Sequence, residues 1–151
     1  MNTESMRIGE YCVRDVIVAA PATTVQEAAA LMRRHHVGSI VVVQGANVPK
    51  GIVTDRDIVV EVVAKGRNST AWTLQDIMGP QLVTVRESDS LIDTIRTMRE
   101  RRVRRAPVVD GAGALAGIVA IDDLIEVLAE EMRDLARLVS GSRTMAVAAG
   151  R

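Results

Sequence analysis

Val37-Gly-Ser-Ile-Val-Val-Val43 and Val103-Arg-Arg-Ala-Pro-Val-Val109 stand 66 residues apart, and the same offset lays Gly51-Ile-Val-Thr-Asp-Arg-Asp57 on Gly117-Ile-Val-Ala-Ile-Asp-Asp123. The match runs without a gap from Ile17 on Val83 to Gly66 on Met132. Such a repeat is one supersecondary unit made twice, and a unit that cannot bury its apolar face alone packs on its mate. The two copies are therefore expected to meet about a pseudo-two-fold axis. Any site built from both copies should lie near that axis.

Each copy presents the same series of local signals. A short β-prone run comes first, Val16-Ile17-Val18 and then Leu82-Val83-Thr84-Val85. Thr24 with Glu27, and Ser90 with Asp93, resemble capping boxes that open helices. Val25, Ala28, Ala29 and Met32, matched by Leu91, Ile95 and Met98, fall on one helical face. Ser39 to Val43 and Arg105 to Val109 lack polar alternation, as strands covered on both faces do. Lys50 to Thr54 and Leu115 to Ile121 return as second strands. Ile58, Val59, Val62 and Val63 line the closing helix of one copy; Leu124, Val127 and Leu128 line that of the other. The last helix is expected to run on through Met132, Leu135 and Leu138, an apolar stripe that outlasts the repeat and calls for a partner. The chain thus divides into a first repeat with its N-terminal segment (1–66), a linker (67–75), a second repeat (76–139) and a patternless tail (140–151) expected to be disordered.

Bulk composition narrows the function. The chain has 151 residues, 48% of them hydrophobic, with no Phe and with Trp72 and Tyr11 standing alone. Stacking platforms for single-stranded nucleic acid are missing. Nineteen basic and 19 acidic residues cancel, which argues against a general polyanion binder. The basic cluster Arg99 to Arg105 reads as a solvated helix end that offsets the helix dipole. Cys12 alone cannot form an internal disulfide, which fits a reducing cytoplasm. Neither an apolar signal region nor a membrane-length apolar run is present. Arg outnumbers Lys by 17 to 2, a hint of a GC-rich, bacterial genome. His35 and His36 are adjacent, so they point to different sides of a helix and chelate poorly; no metal site is expected. No paired carboxylates or Ser–His couple suggest catalysis, so no catalytic residue is assigned.

The order β-α-β-β-α, made twice, resembles a tandem pair of CBS domains, the cystathionine-β-synthase-type regulatory motif. The marks are Asp76-Ile-Met78 before the second copy, Val103-Arg-Arg-Ala-Pro-Val-Val-Asp110, and Gly51-Ile-Val-Thr-Asp-Arg-Asp57; they cover roughly Gly9 to Leu138. The first copy departs near its start, where Asp15-Val16 reaches Ile17 with five residues fewer than Asp76-Ile77 uses to reach Val83. The resemblance implies an α/β (α+β) fold of two packed repeats, free-standing, with no attached enzyme.

The family pattern of Gly, apolar, any residue, Thr or Ser, two more, then Asp is met by Gly51, Thr54 and Asp57. Thr54 at a helix tip can offer its hydroxyl to a phosphate, Arg56 can neutralise it, and Asp57 can accept both hydroxyls of a ribose. The same Thr-x-x-Asp letters also make a capping box that needs no ligand. By resemblance, the ligand is an adenosine derivative (AMP, ADP, ATP or S-adenosylmethionine) acting as a regulatory ligand, with no required cofactor. By analogy with the family, Ser39 and Ile40 line this cleft, and Met78 and Val83 cover the base. The second copy has Ala120 for the threonine and Asp122 for the arginine. A possible second site therefore falls to Arg104, Arg105 and Asp123. The implied role is a regulatory nucleotide sensor, homodimeric, signalling to an unidentified protein, with no membrane or nucleic-acid partner. The alternative is a ligand-free dimerisation scaffold.

Overall fold

The structure, a computed structural model, describes residues 6–149, with side chains described through residue 141. The first copy supplies β1 (Val18–Ala19), α1 (Val25–His35), β2 (Ser39–Gln44), β3 (Val48–Thr54) and α2 (Asp55–Ile58), which runs into a π-helical turn at Val59–Val63. The second supplies α3 (Leu74–Ile77), β4 (Val85–Arg86), α4 (Leu91–Arg101), β5 (Arg105–Val109), β6 (Leu115–Ala120) and α5 (Ile121–Ala149). Each copy makes a three-stranded sheet in which the first strand pairs parallel to the second and the second antiparallel to the third.

The 66-residue offset survives in fine detail. Both hairpins shift register at equivalent places, Val42/Val43 and Val108/Val109. Both long helices end on a cationic or imidazole residue in the left-handed region, His36 at φ 53° and Arg102 at φ 55°. Ile40, Val41 and Val42 are fully buried in succession, as a strand covered on both faces must be. Thr24 accepts from the Glu27 N–H at 3.2 Å while the Glu27 carboxylate accepts from the Thr24 N–H at 2.9 Å, closing the capping box of α1. Val25, Ala28 and Met32 are buried below it, but Ala29 is exposed.

The N-terminal segment crosses over to the second copy. The Ile8 N–H donates to the Asp89 carbonyl at 2.9 Å, the Leu91 N–H donates to Met6 at 2.8 Å, and Val13 exchanges two 2.9 Å hydrogen bonds with Ile118. Met6 and Ile8 sit in one core with Val85, Leu91, Met98 and Leu124. Residues 6–13 therefore belong in space to the second copy. Reciprocally, Leu74 and Ile77 fill the first core with Val25, Ile40 and Val53, and the Val25 N–H donates to Trp72 at 2.9 Å. Each core is completed by the segment that precedes the other copy. No five-residue deficit exists: the bridges Arg7–Ser90 and Thr73–Thr24 show that the repeat register extends back to Arg7 on Thr73. A single copy would leave this segment's place in its core empty, so neither copy can be closed by itself.

Two further expectations change. Of the closing-helix face in the first copy, Val62 is buried, but Val59 is 55% and Val63 67% exposed; the helix loosens into a π turn after one α turn. Helix α5 continues to Ala149, so residues 140–149 extend the helix and are not a patternless tail. Residues 150–151 lie outside the described residues. Among the described residues, no helix is long and apolar enough to cross a membrane.

Candidate functional site

The seam between the copies holds a cleft of about 300 Å³ lined by Ile52, Thr54, Asp55 and Arg56 from the first copy and Val103, Arg104 and Arg105 from the second. Ile52 and Thr54 share one face of β3 because side chains alternate along a strand. Val103 and Arg104 lie between the end of α4 and β5, and Arg105 is the first residue of β5. A Cβ placed on Gly38 would lie 3.8 Å from the Arg105 guanidinium and 3.2 Å from the Asp55 carboxylate, so Arg105 crosses the seam to the tip of α2. The floor is aliphatic and the rim cationic, a combination suited to a flat apolar group that carries an anion.

The Thr-x-x-Asp motif forms a complete capping box. The Thr54 Oγ1 accepts from the Asp57 N–H at 3.2 Å, and Asp57 Oδ2 accepts from the Thr54 N–H at 2.8 Å. The structural role of these four letters is thus realised in full. It leaves chemistry to spare: a hydroxyl that accepts one bond still has its proton to donate, and a carboxylate has a second oxygen. Thr54 lines the cleft; half-buried Asp57 does not. Arg56 is exposed at the rim, its N–H donating to Asp55 Oδ1 at 2.8 Å.

The other sequence-assigned residues divide. Ser39 lies directly opposite Thr54 in the β2–β3 ladder. Ile40 is 0% exposed in the first core, so its side chain cannot line a cleft. Met78 does reach the first sheet, packing on Gly51 of β3. Val83 leads into β4 of the second sheet; the equivalent position beside the first sheet belongs to Ile17, whose carbonyl accepts from Val41 at 3.1 Å. Arg104 and Arg105 were expected with Asp123 in a second site, but they line the Thr54 cleft. Their repeat mates are Gly38 and Ser39, too short to reach across in return. The seam is therefore asymmetric, with cations contributed to the first copy's tip. Arg104 also approaches Asp122 at 3.6 Å, with both side chains more than 70% exposed, a pair of little intrinsic strength. Ile52, Asp55 and Val103 went unassigned in the sequence; alternation along β3 from Thr54 would have found Ile52.

The basic cluster does more than end a helix. Arg99, Arg102 and Arg104 edge a second cavity of about 460 Å³ floored by Ile95, Met98, Val103 and Ile121. It shares Val103 and Arg104 with the seam cleft. Trp72 packs against the first core, with the Arg67 guanidinium 3.8 Å from its ring centroid. Burial pushes the Cys12 thiol up from its ordinary pKa, partly offset by Arg14.

Two mated repeats sharing a seam, with a threonine-capped tip on one side and arginines on the other, define one paired module rather than two separate domains. The chain belongs to the CBS-domain family, whose pattern matches residues 8–64 and 74–130, again 66 apart. An uncharacterized protein of Methanopyrus kandleri is 39% identical over 123 residues, 82% of this chain; the match spans 63% of that relative, so this chain covers less than two thirds of its length. The structure of CBSX2 in complex with AMP matches at TM-score 0.71 and 25% identity, over 85% of this chain and 99% of CBSX2. The CBS domain pair of protein MJ0100, solved with 5'-methylthioadenosine and S-adenosyl-L-methionine, matches at TM-score 0.74 and 21% identity over 83% of this chain and 98% of that one, a likeness of fold.

Proposed function

We propose that this chain is a regulatory module that binds an adenosine nucleotide in the seam cleft and is not an enzyme. The observation that carries this reading is that Arg56, Arg104 and Arg105, from two copies, line one cleft with Thr54. A phosphate there meets guanidinium groups that form charge-assisted bonds. The adenine lies against Ile52 and Val103, while Asp57, outside the cleft lining, holds Thr54 in place through the capping box. That relatives of the same fold were solved with AMP, or with S-adenosyl-L-methionine and 5'-methylthioadenosine, supports the adenosine class. Binding across the seam ties the copies together, so it can shift how they sit and thereby signal to a partner. A single cysteine, Cys12, can form no internal disulfide, which fits a reducing compartment, and we place the protein in the cytoplasm.

The test is thermal. AMP, ADP, ATP and S-adenosylmethionine are added separately, and a ligand at 100 times its dissociation constant adds about 2.7 kcal/mol of stability. Arg105→Ala should abolish the response and keep the free protein's melting point. Asp57→Ala is a poorer probe because it breaks a cap worth about 1 kcal/mol. A flat response to all four ligands sinks the proposal and leaves a second reading, a ligand-free homodimerisation scaffold. Val59, Val60 and Val63 favour that reading because they leave an apolar patch uncovered on the first copy.

A further inference from the structure

The cavity at the end of α4 has no part in the nucleotide reading. Ile95, Met98, Val103 and Ile121 floor it, Arg99, Arg102 and Arg104 edge it, and its volume is about 460 Å³. The floor side chains offer no N–H or O–H donor, and only the Met98 thioether is a weak acceptor. Nothing there can read a base or a sugar, and a peptide backbone laid on it would go unsatisfied. The edge is the reverse. Arg99 lies in the last turn of α4 and Arg102 at its C-cap, and like charges three apart on a helix repel. Neither has an acidic partner among the described residues, whereas Arg14, Arg67, Arg96 and Arg137 each have one. Arg104 has only its exposed pair with Asp122 at 3.6 Å. The fold does not impose this chemistry. The first copy keeps Arg33 and His36 at the places of Arg99 and Arg102, but has Ala29, Gly38 and Asp55 at those of Ile95, Arg104 and Ile121. Its floor is smaller, and an acid stands where the second copy has an apolar wall.

We infer that this cavity binds an aliphatic anion, a single carboxylate or phosphate head on a hydrocarbon chain. The head sits among Arg99, Arg102 and Arg104, and the chain lies on the floor. A body without polar groups matches walls without polar groups, and the flexible Met98 side chain can adjust to it. An anion between Arg99 and Arg102 turns their repulsion into two charge-assisted contacts. Arg104 and Val103 also line the seam cleft, so two anions would draw on one guanidinium. Each ligand then weakens the other by the same factor. That opposition rests on the nucleotide reading; the aliphatic site does not.

The experiment titrates the full chain, without nucleotide, with butyrate, hexanoate, octanoate, octyl phosphate and octylamine, each below its micelle concentration, and follows the heat. The expected result is binding of octanoate or octyl phosphate, the stronger of the two naming the head the site prefers, and no binding of octylamine. Each methylene added from butyrate to octanoate should tighten binding about two- to fourfold. The double variant Arg99→Gln, Arg102→Gln should weaken it about tenfold and leave the free protein's melting point unchanged. A second readout places the ligand whatever the variant does: the methyl signal of Met98 in the nuclear magnetic resonance spectrum, assigned by its loss in Met98→Leu, should move with octanoate. The proposal is overturned if none of the anions binds, if octylamine binds as tightly, if chain length makes no difference, if the double variant binds unchanged, or if the Met98 signal stays still. Failure of the nucleotide reading shows separately, in the thermal response, and leaves these titrations as they are.

Discussion

Adding one methyl group at Gly117 should unhook the N-terminal segment. A Cβ there would lie 2.6 Å from Cys12 Sγ, 2.8 Å from the Val13 carbonyl oxygen and 3.4 Å from Cys12 Cβ. Ordinary carbon contacts sit near ~3.5–4.0 Å, so the backbone at Val13 must retreat. Val13 holds Ile118 by two 2.9 Å hydrogen bonds, each contributing ~0.5–1.5 kcal/mol. Overpacking adds ~1–3 kcal/mol. Gly117→Ala is expected to cost about 3 kcal/mol, or roughly 6–12 °C of melting temperature for a chain of this size. Gly51 is the matched control. Its nearest atoms are Met78 Sδ at 2.6 Å, Cβ at 3.1 Å and Cγ at 3.2 Å, all of one flexible side chain. Gly51→Ala should cost about 1 kcal/mol, because Met78 can swing aside. Replacing Met78 by Ala should lessen the Gly51→Ala penalty, since Sδ and Cγ go and only the Cβ at 3.1 Å remains, whereas Cys12→Ala should leave most of the Gly117→Ala penalty, since the Val13 carbonyl remains. Calorimetric melts of the single and double variants measure this. A Gly117→Ala variant that melts within a degree of the parent, or above Gly51→Ala, would refute the crossed packing of the two copies.

Other perturbations follow from the same geometry. Thr94 is 1% exposed and its hydroxyl has no hydrogen-bond partner among the described residues; its repeat mate is Ala28. Thr94→Val keeps the volume and removes the orphaned hydroxyl, so denaturant melts should show about 1–2 kcal/mol of added stability, and a loss would contradict the assignment. Hydrogen bonds from Thr24 and Thr73, the backbone N–H foremost, hold the Glu27 and Asp76 carboxyls below the usual range. Because the folded state lowers these pKa values, their contribution is complete above the ordinary carboxylate pKa of about 4 and is lost as pH falls through the depressed values. Melting profiles of Glu27→Ala and Asp76→Ala should therefore fall less steeply in acid than the parent's, and parallel profiles would count against the capping boxes. If an anion occupies the cleft, Asp122 competes with it for Arg104. Asp122→Asn should tighten nucleotide binding about two- to five-fold by calorimetry, and weaker binding would count against Arg104 as a ligand group.

Much of this was legible before the structure, for a physical reason. The β-branched runs at Ser39–Gln44 and Arg105–Val109 and the caps at Thr24 and Ser90 are local signals, and local signals repeat with the sequence. The crossed packing was hidden because Arg7-Ile-Gly-Glu10 and Thr73-Leu-Gln-Asp76 share almost no letters; only Ile8 and Leu74 carry the apolar role, and their equivalence is visible through their bridges to Ser90 and Thr24. At the site, Thr54 and Arg56 were readable from their motif. Arg104 and Arg105 were expected beside Asp123, but they line the cleft with Thr54, because which tip a segment faces depends on how two copies dock. Ile40 was misread because a position beside a site in sequence can point into the core in a strand of period two.

The central claim is that an adenosine nucleotide sits in the seam with its phosphate among Arg56, Arg104 and Arg105. A crystal structure grown with whichever of AMP, ADP, ATP or S-adenosylmethionine raises the melting temperature most tests it directly. The account predicts the anionic end of the ligand within hydrogen-bonding distance of Thr54 Oγ1 and the Arg105 guanidinium, with the adenine between Ile52 and Val103. A ligand bound elsewhere on the chain, with the seam cleft closed by packed side chains, would contradict it.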